Sequence, residues 1–467
     1  MKVKALSRSS SSTQRANSGD LRLQHQNRNP THHPHRRARE YTRAVQSAKL
    51  DRMFAKPFLG SLGNGHRDAV NCTATSRHSL VPFVSGSIDG EVRVWDLQSR
   101  REVSEIPTAH AGIVSGVVIM RNGHEFLSCG YDGKVRQWKL FPNKELMDDT
   151  EDDGDVNSKH GCGPINSWSS SDGGFKSIDY HWNDDQFATA SEGSVSIWSP
   201  LRSEPMQTYD PSTLGWGHDS VNVVRYNPAE QCLLAHCSSD RGVGLHDVRT
   251  GSALKKTILA MRANALEWNP MEPMNFVVAN EDHNCYSFDM RKLDAATFIH
   301  RGHVGAVLSV SWSPTGREFV SGSYDRTMRI FSYNATKSRE IYHLKRMQRV
   351  FTVNYSSDHK YIISGSDDSN LRLWKAHASE TLGQLRPREE KALEYRASLI
   401  RKYKHMPEVG RIHRSRNIPK LIQKQSRIAH IQKESRERKL QNRIDHSKPG
   451  SIEIVPQKKQ AVVKEVE

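Results

Sequence analysis

The sequence predicts an all-β fold: a β-propeller of seven blades, with a low-complexity N-terminal arm and a basic, helical C-terminal extension. Three observations predict it. A short pattern recurs along the middle of the chain, its spacing is nearly constant, and the excess charge lies outside that middle. The pattern is clearest in VSGSIDGEVRVWD, residues 84–96. Ser85, Gly86 and Ser87 lead into a tight turn at Asp89 and Gly90, and Val92 and Val94 then alternate up to Trp95. One such stretch is a hairpin signal and no more.

The stretch recurs. SCGYDGKVRQWK places Trp138 at the same point, SGSYDRTMRIFS places Phe331 there, and SGSDDSNLRLWK places Trp374. An Asp stands six residues before each aromatic: Asp89, Asp132, Asp325 and Asp368. Weaker copies put Asp240 before His246 and Asp282 before Phe288, and ASEGSVSIWS has Glu192 before Trp198. Upstream, His66, His110, His218 and His303 precede their Asp by 23, 22, 22 and 22 residues. Successive repeat ends are 43, 60, 48, 42, 43 and 43 residues apart. A period of about 40–45 residues, with an early His and a late Trp-Asp, marks the four-stranded blade of a WD-repeat propeller.

The residue types have a physical reason. The turn Asp can accept a hydrogen bond from the upstream His, the His can reach a strand Ser, and the Ser can take the indole N–H of the Trp. The buried polar groups then satisfy one another and lock the blade. His66, Asp89 and Trp95, His110, Asp132 and Trp138, His218 with Asp240, His303 with Asp325, and Asp368 with Trp374 are therefore read as structural sets. A Ser-His-Asp catalytic triad would occur once, whereas this set is repeated.

The remaining segments follow in order. Residues 1–50 form the arm: 8–40 are of low complexity, and 1–19 are Ser-rich and basic, closer to a disordered arm than to a transit peptide. His32, His33 and His35 have no Cys or acid partners to complete a metal site, so no metal and no cofactor are expected. The propeller is assigned to residues 51–375, and FAKPFLGSL, residues 54–62, can supply the outer strand of the last blade and so close the ring. An insert at about 145–172 accounts for the 60-residue step. Its DDTEDDG imitates an EF-hand start, but His160 stands where the loop needs Glu, so the insert reads as a solvated loop. Residues 376–467 form the tail. Pro387 opens a helix with Glu389 and Glu390 early and Arg401, Lys402 and Lys404 late, as the helix dipole favours. Ala392, Tyr395, Leu399 and Tyr403 share one face, and Pro407 ends it. A second helical stretch, roughly 420–444, carries Leu421, Ile428 and Ile431 as a thin apolar stripe. These helices hold too little apolar surface to form a domain, so they are expected to dock on a partner.

Charge bounds the function. Residues 1–50 hold 11 Lys/Arg against 2 Asp/Glu, and residues 376–467 hold 22 against 11, within a chain whose net charge is +16. Basic arms on a nearly neutral body suit a polyanion, most often nucleic acid. Two groups of bases stand out: Arg411, Arg414, Arg416 and Lys420, then Lys433, Arg436, Arg438 and Lys439. Aromatics are scarce there, so phosphate contact is expected rather than base stacking. The six cysteines form no C-x-x-C pair and no zinc spacing, as in reduced intracellular proteins. No apolar run is long enough to span a bilayer, so no membrane partner is expected. No phosphate-binding Gly loop or nucleophile motif appears outside the repeats, which argues against an enzyme and against a small-molecule substrate.

REYTRAVQSAKLDRMFAKPFLGSL before the first blade, WNPMEPMNFVVANEDHNCYSFDMR in the fifth, and KAHASETLG and HSKPGS in the tail resemble the Sof-type WD-repeat family (suppressor of fibrillarin mutations), also known as DDB–cullin-associated factors. The resemblance spans about residues 38–452. It implies a non-catalytic nucleolar scaffold in the nucleus: a component of the small-subunit processome that works with pre-ribosomal RNA, the U-three small nucleolar ribonucleoprotein and other processome proteins in ribosomal RNA processing. Segment 8–37 and the acidic insert depart from the family pattern, blade three lacks the turn Asp, and blades five and seven lack the early His. The same family implies an alternative, a substrate receptor of a cullin-RING ubiquitin ligase, whose W-D-x-R box docks on the DDB adaptor. His246, Asp247, Val248 and Arg249, and Phe288, Asp289, Met290 and Arg291, resemble that box with the Trp replaced. An Asp–Arg pair closing the blade end reads equally well.

Overall fold

The computed structural model describes residues 29–141, 163–170, 173–210, 220–448, 450–452 and 455–466. The acidic insert around 148–154, His160, His218 and the first 28 residues lie outside them. The described chain divides into two units. One joins residues up to Pro57 to His377–Asn417, and the other comprises Phe58–Ala376 and Ile418–Glu467.

The larger unit holds the seven-bladed propeller. Each blade is an antiparallel sheet built on four strands, in blade one Val70–Thr75, Pro82–Ser87, Val92–Asp96 and Arg101–Ile106 in sequence order. The innermost strands of successive blades lie side by side around the ring, and that of blade seven, Val350–Tyr355, returns to that of blade one. The seam is bonded: Asn354 Nδ2 donates to the Thr73 carbonyl at 2.8 Å, and the Thr73 and Thr352 hydroxyls lie 2.6 Å apart. Phe58–Ser61 pairs with Leu371–Lys375 as the outer strand of blade seven, so the expected closure is present and narrower than 54–62. Joining the two ends of the ring in one sheet leaves no open inner edge.

Sequence dictates this packing. The second and third strands of a blade are covered on both faces by neighbouring blades, and Pro82–Ser87 is buried at every position. Such strands read as continuous apolar and small residues rather than as alternation. The Gly of each Ser-Gly-Ser sits where the next blade presses in. A Cβ on Gly86 would come within 2.6 Å of Val114, and one on Gly365 within 2.8 Å of Val70. The turn after the second strand needs a left-handed residue: Gly90 supplies it at φ 91°, and Arg326 and Ser369 adopt it at 63°.

A strand not foreseen completes blade four. Val462–Val466, near the end of the tail, adds a fifth strand to Ser252–Leu259. Ala461 is buried in the core shared by blades four and five, and Lys255 and Glu465 pair at 3.4 Å across the new edge.

The smaller unit corrects two expectations. The N-terminal arm is not low-complexity throughout: Arg36–Met53 forms helix α1. The tail helices also find apolar surface within the chain. Helix α2, Pro387–Tyr403, is followed by α3, Pro407–Arg414, so Pro407 starts a helix as well as ending one. Ala44 and Ala48 of α1, Leu399 of α2 and Val409 of α3 form a small core, with Tyr41, Tyr403 and Ile412 packed against it. Glu40 accepts from Lys402 at 2.6 Å and from Tyr403 at 3.1 Å. Only half of the expected face of α2 is used, because Ala392 and Tyr395 stay exposed. Helix α4, Lys420–Asp445, belongs to the larger unit. Of its side chains Ile422 is buried, whereas Leu421, Ile428 and Ile431 are exposed. Among the described residues, no helix is long and apolar enough to cross a membrane.

Candidate functional site

Three sets of residues were singled out by the sequence, and each has a definite place. The first is the blade lock. In blade two, His110 Nδ1 donates to Asp132 at 3.0 Å, its Nε2 meets Ser128 Oγ at 2.8 Å, and Trp138 donates its indole N–H to the same hydroxyl at 2.9 Å. Blade six repeats this with His303, Asp325 and Ser321 at 3.0 and 2.7 Å, and Phe331 ends the set without an N–H. In blade seven, which has no early His, Trp374 donates to Ser364 at 2.8 Å and Arg372 pairs with Asp368. Asp240 of blade four pairs with Lys256 of the outer strand, and Ser238 also donates to it.

Blade one requires a correction. Asp89 does not meet His66; Glu91 does, at 3.1 Å. His66 Nε2 and the Trp95 indole converge on Ser85 at 2.5 and 2.7 Å, so the rest of the chain of bonds is present. Asp89 is exposed and, among the described residues, accepts only the Glu91 backbone N–H, at 3.2 Å. Glu91 prevails because its longer carboxylate lies inside, where Arg93 also donates to it at 2.7 Å. Burial pushes the Glu91 pKa up, but the bonds from His66 and Arg93 outweigh this and hold it down at about 2. Arg93 in turn reaches Glu102 at 3.1 Å and Glu105 at 3.2 Å.

Desolvation lowers the pKa of His110 and His303, against the pull of Asp132 and Asp325. With both ring nitrogens engaged and the ring enclosed, no substrate can reach a His–Ser pair. The triad-like residues are thus packed into the blades they belong to.

The second set is the pair of box-like ends. The third strands of blades four and five, Gly242–Asp247 and Cys285–Asp289, close on Asp247 and Asp289. Asp247 accepts the Arg249 backbone N–H at 2.9 Å, and the Arg249 side chain is exposed. Arg291 binds Asp289 through its guanidinium at 2.7 Å while remaining mostly exposed. His246 and Phe288, in place of the Trp, are buried. Each first strand runs parallel to its third strand, so both boxes lie on the face where the inner strands end. A cavity of about 350 Å³ opens there, lined by Arg77, Asp179, Trp182, Arg225, Glu267 and Trp312 among others. Burial pushes the Glu267 carboxyl up to about 8. Two guanidiniums and two carboxyls meet in this space.

The third set is basic, and the structure splits it. Arg411, Arg414 and Arg416 belong to the smaller unit, and Lys420, Lys433, Arg436, Arg438 and Lys439 lie on α4 in the larger one. Arg414 Nε donates to the Gly410 carbonyl at 3.0 Å, and Arg416 Nη1 to the His413 carbonyl at 2.6 Å. Lys433 lies 3.6 Å from Glu437, one turn on. The side chains of Lys420, Arg436, Arg438 and Lys439 have no ion pair among the described residues. Helix α4 thus presents a long exposed surface rich in unpaired bases, with exposed apolar residues among them. Lys49 and Arg52 of α1 join Arg411 around one recess; sequence reasoning missed them, because the arm was not expected to pack on the tail. Among the described residues, no group of three or more His, Cys, Asp or Glu could hold a metal ion.

Residues 376–462 match the Sof1-like domain, and residues 58–96, 102–139, 296–332 and 339–375 match the WD domain, G-beta repeat. The chain is 44% identical over 468 residues to DDB1- and CUL4-associated factor 13 of Danio rerio, with 100% of each chain covered. It is 45% identical to the Homo sapiens protein of that name over 463 residues, 99% of each. Protein SOF1 of Saccharomyces cerevisiae is 39% identical over 453 residues, covering 95% of this chain and 91% of the yeast protein. These matches run over nearly the whole of each chain, and the chain belongs to the Sof1-like WD-repeat family.

Proposed function

We propose that this chain is a non-catalytic scaffold of the small-subunit processome, acting with the U-three small nucleolar ribonucleoprotein in small-subunit ribosomal RNA processing in the nucleolus. In this reading the basic helices hold pre-ribosomal RNA, and the propeller holds neighbouring assembly proteins. The observation that carries it is the exposed basic surface of α4, where Lys420, Arg436, Arg438 and Lys439 have no ion pair among the described residues, within the segment that matches the Sof1-like domain. Such a surface contacts phosphates and reads charge and shape more than sequence. The exposed Leu421, Ile428 and Ile431 give the same helix an apolar stripe for a protein neighbour. Changing Arg411, Arg414 and Arg416 together to Ala is expected to weaken RNA binding alike for different sequences and to flatten its salt dependence. Undiminished RNA binding by that variant and by a quadruple variant of Lys433, Arg436, Arg438 and Lys439 counts against the reading.

A second reading, receptor of a cullin-RING ubiquitin ligase, draws on the relatives' name and on the exposed Arg249 and Arg291. Arg249→Ala with Arg291→Ala is expected to abolish recovery of the DDB adaptor while leaving RNA processing intact. Equal adaptor recovery from wild type and double variant removes this reading.

A further inference from the structure

Lys49 and Arg52 stand three residues apart at the C-terminal end of α1, so both project from one side of that helix. Arg411 lies in the last turn of α3, and the two helices pack in one core. Lys49, Arg52, Arg411, Ile412 and Ser415 line an open recess of about 320 Å³. Bases at the end of one helix suit its dipole. That explains each base alone, but not the convergence of three from opposite ends of the chain.

Among the acids of this unit, Asp51 lies at the recess, 3.8 Å from Arg52. Glu40 pairs with Lys402 and with Arg36, and Glu408 accepts from Tyr41 at 2.9 Å. Lys49 and Arg411 make no side-chain hydrogen bond or ion pair among the described residues. Beside them, His413 keeps a buried Nδ1 with no hydrogen-bond partner among the described residues. Burial first, and then Arg52, Lys404 and Arg416, hold His413 below its ordinary pKa against the pull of Asp51. Asp51 offsets part of this charge, and the remaining like charges around the open recess repel one another unless a further anion lies between them.

We infer that this recess is a phosphate cradle for the RNA backbone, formed by Lys49, Arg52, Arg411 and the Ser415 hydroxyl. A guanidinium offers a planar pair of donors to phosphate oxygens, and the ammonium adds a mobile point charge. RNA is favoured over an acidic peptide by the surrounding charge. Residues 29–57 and 377–417 together hold 17 Lys/Arg against 7 Asp/Glu, and no aromatic side chain lines the recess to stack on a base. The inference rests on the reading that the basic helices contact RNA, and it adds a site that depends on both ends of the chain.

The test uses full-length protein and two RNA hairpins of unrelated sequence. Lys49→Gln with Arg411→Gln changes two unpaired side chains outside the core. It is expected to weaken both hairpins alike and to make the slope of log K against log[salt] shallower by about 2, at roughly 0.9 per lost phosphate contact. Lys433, Arg436, Arg438 and Lys439 changed to Gln serve as comparator. If the comparator weakens binding and the cradle variant matches wild type, the cradle is overturned while RNA binding stands. If both match wild type, the functional reading falls, and the cradle with it. Unmodified protein supplies a second measurement, the titration of His413 by NMR with selectively labelled histidine. Inorganic phosphate, and more so either hairpin, is expected to raise its pKa. An unmoved His413, or a larger shift with polyglutamate than with RNA, overturns the assignment.

Discussion

Glu91 has in blade one the part that Asp132 and Asp325 have in blades two and six, although Asp89 occupies the equivalent turn. Glu91→Ala removes the carboxylate from buried His66 and Arg93, and should cost about 1–3 kcal/mol. Asp325→Ala should cost a similar amount. Asp89→Ala removes an exposed turn contact and should stay within about 0.5 kcal/mol. Urea unfolding measures all three, and a loss for Asp89→Ala matching that for Glu91→Ala contradicts the assignment. The sequence held a sign of the exchange: His66 to Asp89 is 23 residues, whereas the other three sets have 22. It could not say that a Glu two residues on would reach inside. The buried histidines also set a pH dependence. His300, enclosed between Ser287 and the Ala335 carbonyl, is lowered to about 4 by burial, as is His246. Their unfolded counterparts take up protons near pH 6.5, so the unfolded state binds more protons between there and about 4. Stability is therefore complete above pH 6.5 and should fall progressively as pH drops toward 4. The lowered pKa values of Asp132 and Asp325 act in the same direction at lower pH. A melting temperature unchanged from pH 7 to pH 5 contradicts this account.

At the scale of elements, periodicity made the blades legible and hid the two ends of the chain. Strands flanked by glycines, turn acids and Trp carry a repeated signal. Helix α1 does not, because its buried contacts are chiefly Ala44 and Ala48, set among Arg residues that resemble a solvated arm. Val462–Val466 was equally hidden, since five residues of mixed polarity hold too little pattern to identify a strand. The physical reason for that strand lies in its partner: Ser252–Leu259 is eight residues long, and an uncovered edge of that length invites foreign strands. Deleting residues 457–467 should lower the melting temperature and produce concentration-dependent self-association, read by light scattering. A deletion variant that melts like wild type and stays monomeric would show that this strand is dispensable to blade four.

At the scale of the molecule, seven sheets locked by related polar sets form a rigid ring, and the basic surfaces lie on helices in both units. The fold was legible because one solution was repeated around the ring. The candidate interface was legible as composition but not as geometry, because Lys49, Arg52 and Arg411 meet only after the ends of the chain pack together. A chain lacking residues 418–467 is expected to keep its blades but to fail to restore small-subunit RNA maturation. The central claim, that the basic helices hold pre-ribosomal RNA, is tested most directly by ultraviolet cross-linking in cells, with sequencing of the RNA and mass spectrometry of the attached peptides. The account predicts small-subunit precursor RNA bound to peptides from residues 411–416 and 433–439. Cross-links confined to residues 58–376, or no RNA above background, would contradict it.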